Sequence, residues 1–176
     1  MAFSEPSENI KNLNLREGSK VADFGAGSGF YTLLAAERVR ASGQVFAIDV
    51  QKEMLSRIET TARDKGFRNI QVVWGDIDKI GGTKLKEAMV DAVIVSNVLF
   101  QSEHKENLAN EAFRITKNGG ELMAIDWTDS YGNMGPIQSQ IVSQDEARMI
   151  FEGAGFKYER DFSAGDHHWG MVLKKP

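Results

Sequence analysis

Five short runs of aliphatic and β-branched residues recur along the chain, at positions 21–24, 44–48, 70–74, 92–96 and 121–125. Stretches of helical periodicity or turn-forming residues separate them. Alternation of this kind specifies strands laid parallel in one sheet, with the connections packed over its faces. The run Ala92-Val93-Ile94-Val95 has no polar residue at alternate positions, so it belongs to a strand buried on both sides. Segments 156–162 and 168–174, joined through Ala164-Gly165-Asp166, read as an antiparallel hairpin. The expected fold is α/β: a single doubly wound, mostly parallel seven-stranded sheet with helices on both faces and a C-terminal antiparallel hairpin. A chain of 176 residues, 41% hydrophobic, fills one core, so residues 1–176 are expected to form one domain, with 1–17 as an N-terminal helix and lead-in.

Helices are expected at 7–15, with Ser7 as N-cap and Ile10, Leu13 and Asn14 inward, at 30–40, at 52–65 and at 103–115. Ser102 is placed to cap the fourth of these. Ser143-Gln144-Asp145-Glu146 is a capping box for a helix running to 152. Residues 78–89 read as a loop with a short helix, Lys117-Asn118-Gly119-Gly120 as a tight turn, and 128–142 as a loop or lid.

The absence of cysteine excludes disulfides, thiolate metal sites and a thiol nucleophile. No His or Asp spacing matches a metal site, so none is expected. No apolar run approaches a signal core or a membrane span, and a cytoplasmic protein is expected. The net charge is −4 with Lys and Arg dispersed, which argues against a large nucleic-acid footprint.

The chemistry concentrates after the first strand, in Asp23-Phe24-Gly25-Ala26-Gly27-Ser28-Gly29-Phe30. Three glycines at alternate positions strip the Cβ atoms that keep a ligand off the backbone, and the following helix presents its positive end there. Asp23 sets a carboxylate where a dinucleotide would bring its diphosphate, and Phe30 stands where the dinucleotide fingerprint has its last small residue. A phosphate-free nucleoside carrying a cationic amino group fits better. Asp49, at the tip of the second strand, is placed to accept two ribose hydroxyls.

This motif resembles the first motif of the Rossmann-like methyltransferases that use S-adenosylmethionine, and the likeness extends from about Gly18 to Lys174. It implies S-adenosyl-L-methionine as cofactor. It also implies that Asp76 takes the adenine amino group, with Ile77 packed on the ring. The same resemblance sets Ala26, Ser28, Phe30, Val50, Met54, Gly75 and Val98 around the cofactor, with Asn97 at its methionine end or merely closing the strand. The turn departs from the family's form in having Asn118 where a proline is common, which Asn tolerates. Asn97-Val98-Leu99-Phe100 and that turn are similar to the quinone-biosynthesis branch. They lack the Asn/Asp-Pro-Pro-Tyr/Phe signature of enzymes that methylate amino groups of bases.

The expected reaction is methyl transfer to a small-molecule acceptor by in-line displacement, which asks the protein mainly for alignment and dryness, worth roughly 7 to 11 kcal/mol of barrier. Asn97, His104 and Asp126 are candidate catalytic groups. Phe100, His104, Asp126, Trp127 and Tyr131 are candidates for the acceptor side, each with a plainer reading as loop or core. His167 and His168 read as surface histidines. Three alternatives stay open: a methyltransferase acting on RNA or protein, a dinucleotide oxidoreductase, and a non-catalytic cofactor-binding module.

Overall fold

The computed structural model describes residues 4–132 and 134–176. Seven strands form one sheet: β1 (Lys20–Phe24), β2 (Gln44–Asp49), β3 (Ile70–Trp74), β4 (Val90–Ser96), β5 (Thr116–Trp127), β6 (Lys157–Ser163) and β7 (His168–Lys174). Their order is β3-β2-β1-β4-β5-β7-β6, with β7 antiparallel to both neighbours and all other pairs parallel. Strand order reverses between β1 and β4, and a crevice opens at such a point beyond the carboxyl ends of the strands.

Side chains alternate across the sheet and build two cores. One face carries Val21, Ile94, Met123 and Ile125 against Tyr31, Ala35 and Val39 of α2 (Phe30–Val39) and against Ile10 and Leu13. The helix α3 (Lys52–Asp64) covers β2 and β3 through Ile58. The other face carries Phe24, Ile48, Val95 and Leu122 against Leu108 and Ala112 of α4 (Lys105–Ile115) and Ala147 and Phe151 of α5 (Gln144–Gly153).

Several expectations change in detail. The N-terminal helix is one turn, α1 (Pro6–Asn9), followed by a 3-10 turn at Ile10–Asn12. Asn9 is buried there and Asn14 is exposed, because Asn9 donates to the Tyr31 hydroxyl at 3.1 Å and to the Ala164 carbonyl at 3.3 Å. Residues 78–89 contain no helix. Their turns are instead gathered onto the buried Glu111 carboxylate, which accepts from the Gly81 amide and the Thr83 hydroxyl and pairs with Arg114. The glycines at 119 and 120 do not end a turn but lie within β5, which shifts register between Val90 and Ala92. Helix α4 starts two residues late and takes its cap from elsewhere. Asp78 accepts from the backbone amides of Glu103 at 3.0 Å and His104 at 3.4 Å and from the Ser102 hydroxyl at 2.6 Å.

Candidate active site

Beyond the carboxyl ends of β1, β2, β3 and β4 lies a cleft of about 290 Å³. Gly25, Gly27, Asp49, Val50, Gly75, Asp76, Ile77, Asn97 and Val98 line it, all singled out by the sequence. Gln51, Asp78, Gln101 and Ser102 line it as well, and the sequence reading missed them. Asp78 was legible only as the second acid of Asp76-Ile77-Asp78, and Ser102 only as a cap.

The glycine loop turns because Gly25, Gly27 and Gly29 all have positive φ, of 66°, 51° and 80°. At Gly25 a Cβ would sit 2.9 Å from Val98 Cγ2, so the loop lies against β4's exit with no room for a side chain. Its position is locked from β2: Asp49 accepts from the Gly27 amide at 2.9 Å and from its own side's Gln51 amide at 2.8 Å. Each Asp49 oxygen keeps a lone pair for a further donor. Asp76 accepts from the Asp78 amide at 3.1 Å and pairs with Lys79 at 2.9 Å, and the Lys79 hydrogen bond holds its carboxyl below the usual range.

Asn97 has φ 56°, a left-handed conformation that Asn tolerates better than most residues. Its amide donates to the Ile125 carbonyl, its carbonyl accepts from Gln101, and its side-chain Oδ1 is buried with no hydrogen-bond partner among the described residues. A buried idle acceptor at the wall of a cleft points to a donor on the ligand.

Other expected residues are placed elsewhere. Asp23 is not at the cleft mouth: it faces α2, only 3% exposed, and accepts from the Thr32 hydroxyl at 2.6 Å. Burial, with Asp49 nearby, pushes its carboxyl up to about 6 despite that bond. Ala26, Ser28, Gly29, Phe30 and Met54 do not line the cleft either. Gly29 caps α2 and packs on Ile58, while Phe30 is turned to solvent.

On the acceptor side the correction is larger. Asp126 is fully buried, and its carboxylate accepts from the amides of Leu99 at 2.9 Å, Phe100 at 3.4 Å and Trp127 at 2.8 Å. Burial again dominates and raises it to about 6. Asp126 therefore fastens the turn after β4 and, as placed, has no surface open to the cleft. Phe100 lies in that turn, half-buried, and His104 is an exposed N-cap. Trp127 is half-buried with its ring 4.3 Å from that of His168, and Tyr131 stacks on His167 at 4.2 Å. His168, expected at the surface, is 7% exposed. Among the described residues, no group of three or more His, Cys, Asp or Glu is placed to hold a metal ion.

The cleft fits S-adenosylmethionine on its own chemistry. It is lined by three carboxylates and by no Lys or Arg, it offers an idle acceptor at Asn97, and its glycine loop excludes any Cβ at position 25. A cationic, phosphate-free nucleoside matches that set, whereas a diphosphate would meet three carboxylates of which only Asp76 has a cation, Lys79, at hand.

Comparison with known proteins agrees. A family model described as a methyltransferase domain matches residues 15–162. An arsenite methyltransferase of Aquipseudomonas alcaligenes is 32% identical over 116 residues, 64% of this chain and 34% of its own. A demethylmenaquinone methyltransferase of Anoxybacillus flavithermus is 24% identical over 119 residues, 68% of this chain and 49% of its own. The chain thus spans half or less of the length of these curated relatives. A solved SAM-dependent methyltransferase from Aquifex aeolicus superposes with a TM-score of 0.87 at 28% identity, covering 97% of this chain and 89% of that one. With a family model spanning most of its length and a cleft of matching chemistry, the chain belongs to the Rossmann-like, S-adenosylmethionine-dependent methyltransferase family.

Proposed function

We propose that this chain transfers a methyl group to a small-molecule acceptor, and that the acid-lined cleft binds the cofactor for it. The lining is the observation that carries the reading: Asp49, Asp76 and Asp78 present negative charge to the ligand with no Lys or Arg among the lining residues. When bound, S-adenosylmethionine supplies a methyl group already activated on a sulfonium. Asp49 accepts the ribose hydroxyls, Asp76 the adenine amino group beside Ile77, and Asn97 Oδ1 a donor at the methionine end. Asp23 contributes a fixed negative charge from beneath the glycine loop, not a direct contact. Asp126 positions the turn at 98–100 that walls the reacting end, and this dry wall keeps water from competing with the acceptor.

Scattered surface Lys and Arg support a small acceptor over RNA. The relatives' names include both a quinone precursor and arsenite. A soft arsenic centre is best held by thiolates, and the sequence has no cysteine, so an organic acceptor is the better match. Calorimetric titration with S-adenosylhomocysteine tests the cofactor site, and turnover of S-adenosylmethionine against a panel of small organic acceptors tests the rest. Binding without turnover on any organic acceptor, but with turnover on RNA or protein, would overturn the small-molecule reading.

A further inference from the structure

Apart from Asn97, one buried side chain among the described residues has polar atoms without a hydrogen-bond partner. His168 opens β7 directly opposite Trp127, the last residue of β5. It is 7% exposed, and neither ring nitrogen has a hydrogen-bond partner among the described residues. An imidazole always has a proton to give or a lone pair to accept one, and a native fold seldom leaves both idle away from water. The neighbouring His167 differs: it is held by Asp129 at 2.8 Å and stacks on Tyr131, so it belongs to the loop after β5.

The position gives the idle ring a meaning. Alternation along the strands puts Ser96, Trp127 and His168 on the same face of the sheet as Asp23, at the same carboxyl pole as the cleft. His168 lies two strands from β4, about 10 Å across at the usual strand spacing. With adenine at Asp76 beyond β3, ribose at Asp49 on β2 and the methionine end at Asn97 beyond β4, as proposed above, the reacting end would lie on the side of β5 and β7. The ring's surroundings are the indole of Trp127, with the backbone of Gly135 pressed on the indole so closely that a Cβ there would come within 2.8 Å of it. An anionic acceptor would lose its hydration there in reach of the Asp129 carboxylate, and a neutral one would not.

We propose that His168 holds the methyl acceptor and takes its proton, so that the acceptor is a molecule without negative charge, methylated at a hydroxyl. The proposal rests on the cofactor reading given above. The acceptor's O–H bond breaks, the proton passes to the free ring nitrogen, and the electron pair stays on the oxygen that is to be methylated. The imidazolium then returns the proton to water. Burial and the nearby His167 keep the His168 ring neutral at ordinary pH, Asp129 opposing them, so it is free to accept.

The test uses the full chain saturated with S-adenosylhomocysteine and follows the ring nitrogens of its three histidines by NMR. Phenol and anisole serve as probes of equal shape that differ in the hydroxyl proton. Phenol is expected to shift the His168 signals while those of His104 stay fixed, and anisole is expected to leave them unmoved. His168→Phe should weaken phenol binding about tenfold, as loss of one hydrogen bond would. His168→Gln should recover part of that affinity and lose the wild type's weakening in acid, which tracks ring protonation. Retained S-adenosylhomocysteine affinity in His168→Gln shows that the cleft is intact should His168→Phe fail to fold. Equal response to phenol and anisole, or none to either, overturns the His168 assignment and leaves the cofactor reading standing. Failure of the wild type to bind S-adenosylhomocysteine overturns both.

Discussion

Two buried carboxylates, Asp23 and Asp126, carry opposite consequences for stability and for binding. Both are raised to about 6 by burial, above an ordinary carboxylate near 4, so the folded chain binds more protons than the unfolded one between those values. Their contribution therefore favours the fold at acid pH and fades as pH rises from about 4 to about 6. Asp23→Asn removes the cost of a buried charge, up to about 3 kcal/mol for a shift of two units. Its melting temperature at pH 7.5 is expected to rise or hold, with affinity for S-adenosylmethionine lowered and affinity for the uncharged adenosine unchanged. Parallel thermal melts and titrations check both. Asp126→Ala instead strips the amides of Leu99, Phe100 and Trp127 of their acceptor, so loss of about 2 to 4 kcal/mol is expected in urea unfolding. At this scale the sequence shows which acids stand at strand ends but not which way they turn. Asp49 and Asp76 open onto the cleft, while Asp126 faces the amides of a turn 26 and 27 residues earlier, a pairing set by tertiary packing. His168 reads as a surface residue for the same reason: its burial comes from pairing with Trp127 across β5 and β7, which no local pattern shows.

At the level of elements, the site depends on two joints. Gly25→Ala forces a methyl group to 2.9 Å from Val98 Cγ2 at a φ of 66°. Loss of about 1 to 3 kcal/mol and of measurable cofactor binding is expected, read by melting and by titration. The second joint is Asp78, which caps α4 from a distant loop. Asp78→Ala is expected to cost about 1 to 2 kcal/mol, whereas Ser102→Ala costs less because the backbone amides keep Asp78. Strand and helix periods located nearly every element, and Ser143 caps α5 as its motif implies, accepting from the Glu146 amide at 3.2 Å. The cap of α4 escaped because Ser102 satisfies the local rule while Asp78, 24 residues away, satisfies the geometry. The loop at 78–89 escaped because its order comes from Glu111, not from its own periodicity.

Over the whole molecule, the reversal of strand order between β1 and β4 gathers the tips of four strands into one cleft. Five strand-and-connection rounds in the sequence imply a doubly wound sheet, whereas the strand order itself comes from the structure. The acceptor side was not legible, since it is made by a loop and a hairpin whose mutual approach no local pattern encodes. The acid lining of this cleft is expected to select a cationic nucleoside without phosphate. Calorimetry of the wild-type chain with S-adenosylmethionine, NADH and ATP in parallel tests it most directly, with Asp49→Ala as control. The expected result is saturable binding of S-adenosylmethionine alone, weakened at least about tenfold by Asp49→Ala. Tighter binding of NADH or ATP than of S-adenosylmethionine would contradict it.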